Sequence, residues 1–227
     1  MFELKKTAVV VCMLTLVSCS NKQTTNTANT GLGNTQTPSS TSAGKKNILV
    51  FGDSLTAGYG LDDVSESFPG VIKARIDSLK LPYNVINSGV SGETSAGGKS
   101  RIDWVLKQKP DVFLLELGAN DGLRGNSVEE TRNNLQYIIN RVKAKYPAAK
   151  IILLGMQVPP SMGQKYAGDF RQLFPQLAAK NNIGLVPFLL QGVGGDPKLN
   201  QGDGIHPNPA GAKIVGNNVW KQLKPIL

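Results

Sequence analysis

The sequence predicts a three-layer α/β/α domain built on a five-stranded parallel sheet. Three observations predict it: short continuous apolar runs, longer stretches with helical spacing, and regular alternation of the two. Apolar runs of strand length fall at 48–51, 85–86, 112–117, 151–156 and 184–188. They are continuous rather than alternating, as strands covered by helices on both faces are. Between them, Phe68, Val71, Ile72, Ile76 and Leu79 recur at three- and four-residue spacing, as do Leu135, Ile138, Ile139 and Val142. Such spacing draws one apolar stripe down each helix. Five rounds of strand and helix give a parallel sheet between two helical layers. A last helix is predicted over 209–223, with Pro207 and Pro209 where a helix begins.

The domain is predicted to occupy 47–227, because what precedes it has no core-forming pattern. Lys5 and Lys6 lead into an apolar run over 7–17. A spanning helix needs about 20 apolar residues, so this run fits the core of a signal peptide instead. It closes on Leu16-Val17-Ser18-Cys19, which resembles a bacterial lipobox, and that resemblance implies a signal peptide over 1–18 and lipidation of Cys19. Residues 20–46 are rich in Asn, Thr, Gln, Ser and Gly and carry no aromatic side chain. They read as a disordered tether, spanning about 30 Å as a flexible coil. The expected location is the cell envelope, with the chain held to a membrane through Cys19. Ser20 after the Cys, where the family alternative is Asp, leans toward the outer membrane of a two-membrane cell.

Composition excludes several classes of function. The chain of 227 residues has a formal net charge of +9, one His and two Cys. One imidazole and two thiols exclude the common zinc sites and a disulfide framework, and both Cys lie at or before position 19. The domain holds 20 basic and 15 acidic residues without a basic run, so nucleic acid is not an expected partner. The segment Gly92–Ser100, GETSAGGKS, has five residues between Gly92 and Gly98 where a phosphate loop needs four, so nucleotide binding is excluded.

In an open parallel sheet, ligands gather at the carboxyl ends of the strands. Small and polar residues follow each of those ends. GDSLTAGYG begins at Gly52, NSGVSGETS at Asn87, ELGANDGLRG at Glu116 and DGIHPN at Asp203. These four blocks, in this order, resemble the GDSL or SGNH hydrolase family, in its bacterial thioesterase I, lysophospholipase and arylesterase subgroup. The resemblance covers essentially all of 47–227. It implies the flavodoxin-like SGNH fold and a serine esterase acting on carboxylic esters or thioesters of acyl chains without cofactor or metal. It also implies an oxyanion hole made by the Ser54 and Gly92 amides and the Asn120 side chain, with Gly89 the rival to Gly92.

The residues support a nucleophile, a base and an acid. Ser54 follows a strand and begins a helix, where its amide and the helix dipole favour negative charge. A hydroxyl needs a base to attack, and His206 is the only imidazole. Asp203, three residues earlier, can reach the far ring nitrogen in a turn and hold the tautomer. Asp53 is a rival acid, but adjacent residues point apart, so it reads as a loop-supporting group. Asn87 and Asp121 read the same way, and Glu116, in an apolar strand, needs a partner if buried. For the acyl pocket the candidates are Leu123 and Arg124 in NDGLRG, and Val158, Pro159 and Met162 in MQVPPSM. Residues 191–202 carry four glycines and read as a movable loop beside the His. Two other readings share these residues: a carbohydrate O-acetylesterase on the same triad, and a non-catalytic binding lipoprotein.

Overall fold

The structure, a computed structural model, describes residues 44–227. The expected signal peptide, Cys19 and most of the tether lie outside the described residues. Five strands, β1 (Lys46–Gly52), β2 (Tyr83–Gly89), β3 (Val112–Leu115), β4 (Lys150–Leu154) and β5 (Gly184–Val186), form one sheet in the order β2-β1-β3-β4-β5. Every pair is parallel. Seven helices connect or follow them: α1 (Ser54–Ala57), α2 (Phe68–Ser78), α3 (Ser95–Val105), α4 (Ala119–Leu123), α5 (Val128–Lys145), α6 (Gln164–Asn181) and α7 (Pro209–Leu223). Helices α2 and α7 pack together on one face, and α3, α5 and α6 form the layer on the other. The predicted three-layer α/β architecture and last helix are therefore both present.

Strand ends differ from the sequence reading for identifiable reasons. β2 runs over seven residues because it follows β1 in unbroken register from Lys46↔Tyr83 to Gly52↔Gly89. It is an edge strand, so polar Asn84 and Asn87 are tolerated within it. β5 stops at Val186 because Pro187 has no N–H for the ladder. β3 stops at Leu115 although Glu116 N still donates to Phe51 O at 2.8 Å, where the chain turns toward the site. β1 starts at Lys46, one residue ahead of the expected domain boundary.

The helices begin where capping chemistry permits. Ser67, Thr94, Ser127 and Asn208 each accept a backbone N–H in the first turn of α2, α3, α5 and α7. Glu129 and Glu130 stand in the first turn of α5 and Lys143 and Lys145 in its last, matching the helix dipole. The core is fully buried, with Leu49, Phe51, Phe113 and Leu114 from the strands and Ile138, Phe170 and Phe174 from the helices. Each such side chain contributes about 1.5–3 kcal/mol relative to exposure.

Strand order reverses between β1 and β3, one leading outward to β2 and the other to β4. The crevice at such a switch point is where open α/β sheets bind ligands. The start of α7 is fixed against the loop before it. A Cβ on Gly211 would lie 2.1 Å from the Leu199 carbonyl oxygen, a backbone atom that cannot swing aside. Gly211→Ala should therefore cost about 1–3 kcal/mol in urea unfolding, and it should depress activity because the same loop carries Asp203 and His206.

Candidate active site

Ser54 opens α1 at the carboxyl end of β1 and is largely buried. Asp53 caps this short helix, its Oδ1 accepting from Leu55 N at 3.1 Å. Asp203 and His206 come from the loop ahead of α7, which the antiparallel bridge Asn200↔Pro207 closes. Gln201 N donates to His206 O at 2.7 Å, and the Gln201 side chain donates to Tyr59 O and Pro207 O. Asn200 donates to Val193 O and Asp196 O. The second half of the loop expected to move, over 191–202, hydrogen-bonds to Tyr59 O and to the segment that carries His206. Gly194 and Gly195 face the cavity instead.

His206 Nε2 lies 2.8 Å from Ser54 Oγ, and His206 Nδ1 lies 2.6 Å from Asp203 Oδ2. Asp203 Oδ1 accepts from Ile205 N at 2.8 Å and His206 N at 3.0 Å. With three donors on it, first the His206 ring, then the His206 and Ile205 amides, the Asp203 carboxyl is pulled down to about 2. It is therefore ionised in neutral solution and accepts a proton-bearing Nδ1. That tautomer leaves Nε2 free to accept the Ser54 hydroxyl hydrogen. The Tyr59 ring lies 4.8 Å from the imidazole, centroid to centroid. Sequence reading passed over Tyr59, although it stands in the same block as Ser54.

Of the three expected oxyanion donors, Ser54 and Asn120 line one cavity, and Gly92 lies in the turn after β2. Neither the Ser54 nor the Gly92 amide donates to an acceptor among the described residues. Gly92 has φ +78°, a left-handed conformation suited to glycine, and its carbonyl accepts from Arg124 Nη2 at 2.9 Å. The Gly89 amide, the rival donor, is taken by Asn87 Oδ1 at 2.9 Å. Asn120 Nδ2 donates to Asp53 Oδ2 and to Glu93 O, each at 3.1 Å. Asn87 ties β2 to α1 through Thr56 O at 2.7 Å. Asp121 ties α4 to α3 by accepting from Ser95 N and Oγ at 2.7 and 2.6 Å. Arg101, also missed from sequence, pairs with Glu93 and donates to Gly52 O and Ser88 O, bracing the first two of the four blocks.

Beside Ser54, Asn120 and His206 opens a cavity of about 490 Å³ whose size is that of a small-molecule site. Its apolar wall includes Leu55, Leu123, Met156, Val158, Pro159 and Phe188. Two expected wall residues are elsewhere. Arg124 turns to Gly92 O, where a cation can reach a carbonyl. Met162 packs against the hydrophobic core.

Residues 50–214 match the GDSL-like Lipase/Acylhydrolase family. The chain belongs to that family. It is 40% identical over 186 residues to the Esterase TesA of Pseudomonas aeruginosa, covering 82% of this chain and 91% of that one. It is 35% identical over 181 residues to the Thioesterase 1/protease 1/lysophospholipase L1 of Escherichia coli K12, covering 79% and 84%. Among solved structures, the crystal structure of TesA aligns with a TM-score of 0.76 at 40% identity, covering 80% of this chain and all of the other. Family membership agrees with the four sequence blocks and with the five-stranded parallel sheet.

Asp203→Asn tests the orientation of the imidazole. An amide can keep accepting from the Ile205 and His206 amides while presenting N–H to Nδ1, which forces the wrong tautomer. The expected outcome is a loss of kcat on the order of 10²–10⁴ with KM little changed, measured by steady-state ester hydrolysis.

Proposed function

We propose that the protein is a carboxylic ester hydrolase that cleaves acyl esters and thioesters through an acyl-enzyme on Ser54. The observation that carries this reading is the unbroken Asp203–His206–Ser54 hydrogen-bond chain at the mouth of an apolar cavity. His206 Nε2 takes the Ser54 proton as Oγ attacks the carbonyl carbon. The resulting oxyanion lies toward the Ser54 and Gly92 amides and Asn120 Nδ2. His206 then returns the proton to the leaving alcohol or thiol, and the C–O or C–S bond breaks. Water, deprotonated by His206, attacks the acyl-enzyme, and Ser54 recovers its hydrogen. Asp203 stays ionised and stabilises the imidazolium throughout.

The apolar wall favours an acyl chain over acetate as the acid part of the substrate. It thereby favours lysophospholipids, glycerides or aryl esters over acetylated sugars. Anchoring at the cell envelope through Cys19 is supported by Leu16-Val17-Ser18-Cys19 and the polar segment after it. An anchored enzyme would meet such esters at a membrane.

Four measurements test this. A series of p-nitrophenyl esters from acetate to palmitate should peak between C6 and C12, whereas a steep preference for acetate would favour the O-acetylesterase reading. Folded wild-type protein without any ester turnover would favour a binding protein. Ser54→Ala should lose labelling by a fluorophosphonate probe, and Asn120→Ala should lower kcat about 10²–10³-fold. Cys19→Ser should move the protein from the detergent fraction to the aqueous one; retention in detergent would argue against lipidation.

A further inference from the structure

Beneath the nucleophile turn lie two carboxyl groups, Asp53 and Glu116, each fully buried. They straddle the crevice between β1 and β3. Glu116 Oε2 accepts from Asp53 N at 3.0 Å and from Thr56 Oγ1 at 2.8 Å, so it grips the chain on both sides of Ser54. The contact is close enough to require glycine at 52, where a Cβ would lie 2.4 Å from Glu116 Oε2. Glu116 Oε1 has no hydrogen-bond partner among the described residues. Asp53 is held differently, with Oδ1 accepting from Leu55 N and Oδ2 from Asn120 Nδ2.

Two buried negative charges need cations or a proton. Among the described residues, the charged groups around the pair supply no free cation. From α3, Arg101 reaches Gly52 O, yet its charge is committed to Glu93. From the loop before α7, His206 is bonded to Asp203. We propose that Glu116 is held as a neutral acid and that, together with an ionised Asp53, it positions Ser54 and Asn120 for oxyanion binding. Each oxygen of Asp53 receives an N–H, which stabilises a charge there. On Glu116 both donors converge on Oε2, and Oε1 accepts from no donor among the described residues. Burial, reinforced by the Asp53 charge, pushes the Glu116 carboxyl well above the carboxylate range, while burial lifts Asp53 to about 6.

The consequence for Asn120 is directional. An amide presents oxygen or NH₂ depending on its flip. Asp53 Oδ2 and Glu93 O are both acceptors, so only the NH₂ end can face them. The same end must face the oxyanion, so the hydrogen now on Glu93 O turns to it while the other stays on Asp53 Oδ2. An ionised Asp53 thus acts as a positioning residue that fixes the flip, and Glu116 as one that fixes Asp53 and the turn.

The inference rests on the oxyanion role given to Ser54, Gly92 and Asn120, but its first test needs no turnover. In protein labelled with ¹³C at the glutamate carboxyls, one resonance should remain at the protonated shift at neutral pH and be missing from Glu116→Gln. Complete ionisation of all glutamates in wild type below neutral pH would overturn the proposal. In kinetics, Glu116→Gln keeps an acceptor oxygen without charge and should retain most turnover. Glu116→Ala should lower kcat by up to about 10²-fold at similar KM. A Glu116→Gln variant with native circular dichroism but the same loss as Glu116→Ala would overturn it, and this variant and the titration suffice if Glu116→Ala does not fold. Asp53→Asn should lower kcat at least about tenfold at similar KM, since the new amide has no charge to hold one Asn120 hydrogen while the other leaves Glu93 O; unchanged kcat would overturn the positioning role of Asp53.

Discussion

β1 pairs in parallel with β2 on one side and β3 on the other, in register through its last residues. Parallel strands all finish at the same edge, so the turns after β1, β2 and β3 are forced into one neighbourhood. These turns carry Ser54, Gly92 and Asn120. Because the strand order reverses between β1 and β3, the turns part there and leave a crevice. Packing around Phe51 and Phe113 fixes the strand ends, and hydrogen bonds from buried polar groups fix the turns. The site is therefore a product of strand register before it is a product of individual side chains.

A polar layer lies between the hydrophobic core and the proposed oxyanion site. Asp53, Glu116 and Thr56 lie under the nucleophile, and Asp121, Ser95 and Asn134 lie under the α3–α4 side. Arg101 lies over Phe51, its Cζ 4.1 Å from the ring centroid, and joins the layer to the core. Such a layer is costly to bury unless every member is bonded. Its rigidity suits a site whose donors must be aimed before charge develops.

Much of this was legible in the sequence because it depends on local pattern. Continuous apolar runs gave the strands, and Pro207 and Pro209 marked the start of α7. The polar blocks at strand ends gave Ser54, Asp203, His206 and Asn120, and the lone His left no alternative base. What was not legible depends on side chains meeting across long separations. Glu116 reaches back to residues 53 and 56, and Arg101 spans β1, β2 and the turn after β2. Neither follows from spacing. The cavity wall was read half correctly: Leu123, Val158 and Pro159 face it, but the directions of Arg124 and Met162 are set by partners that no local pattern reveals. The edge position of β2 also hid most of its length, because only its middle is continuously apolar.

The proposed acid and base are three residues apart, in a loop that holds itself together, while the proposed nucleophile lies 152 positions before the base. Synthesis delivers the chain from its amino end. Until the loop and α7 have followed and docked, Ser54 has no imidazole beside it and is an ordinary hydroxyl. A partly delivered chain is thus chemically silent toward the esters around it. Its reactivity begins only when that loop and α7 have docked beside Ser54, so docking of that segment is itself the activation step.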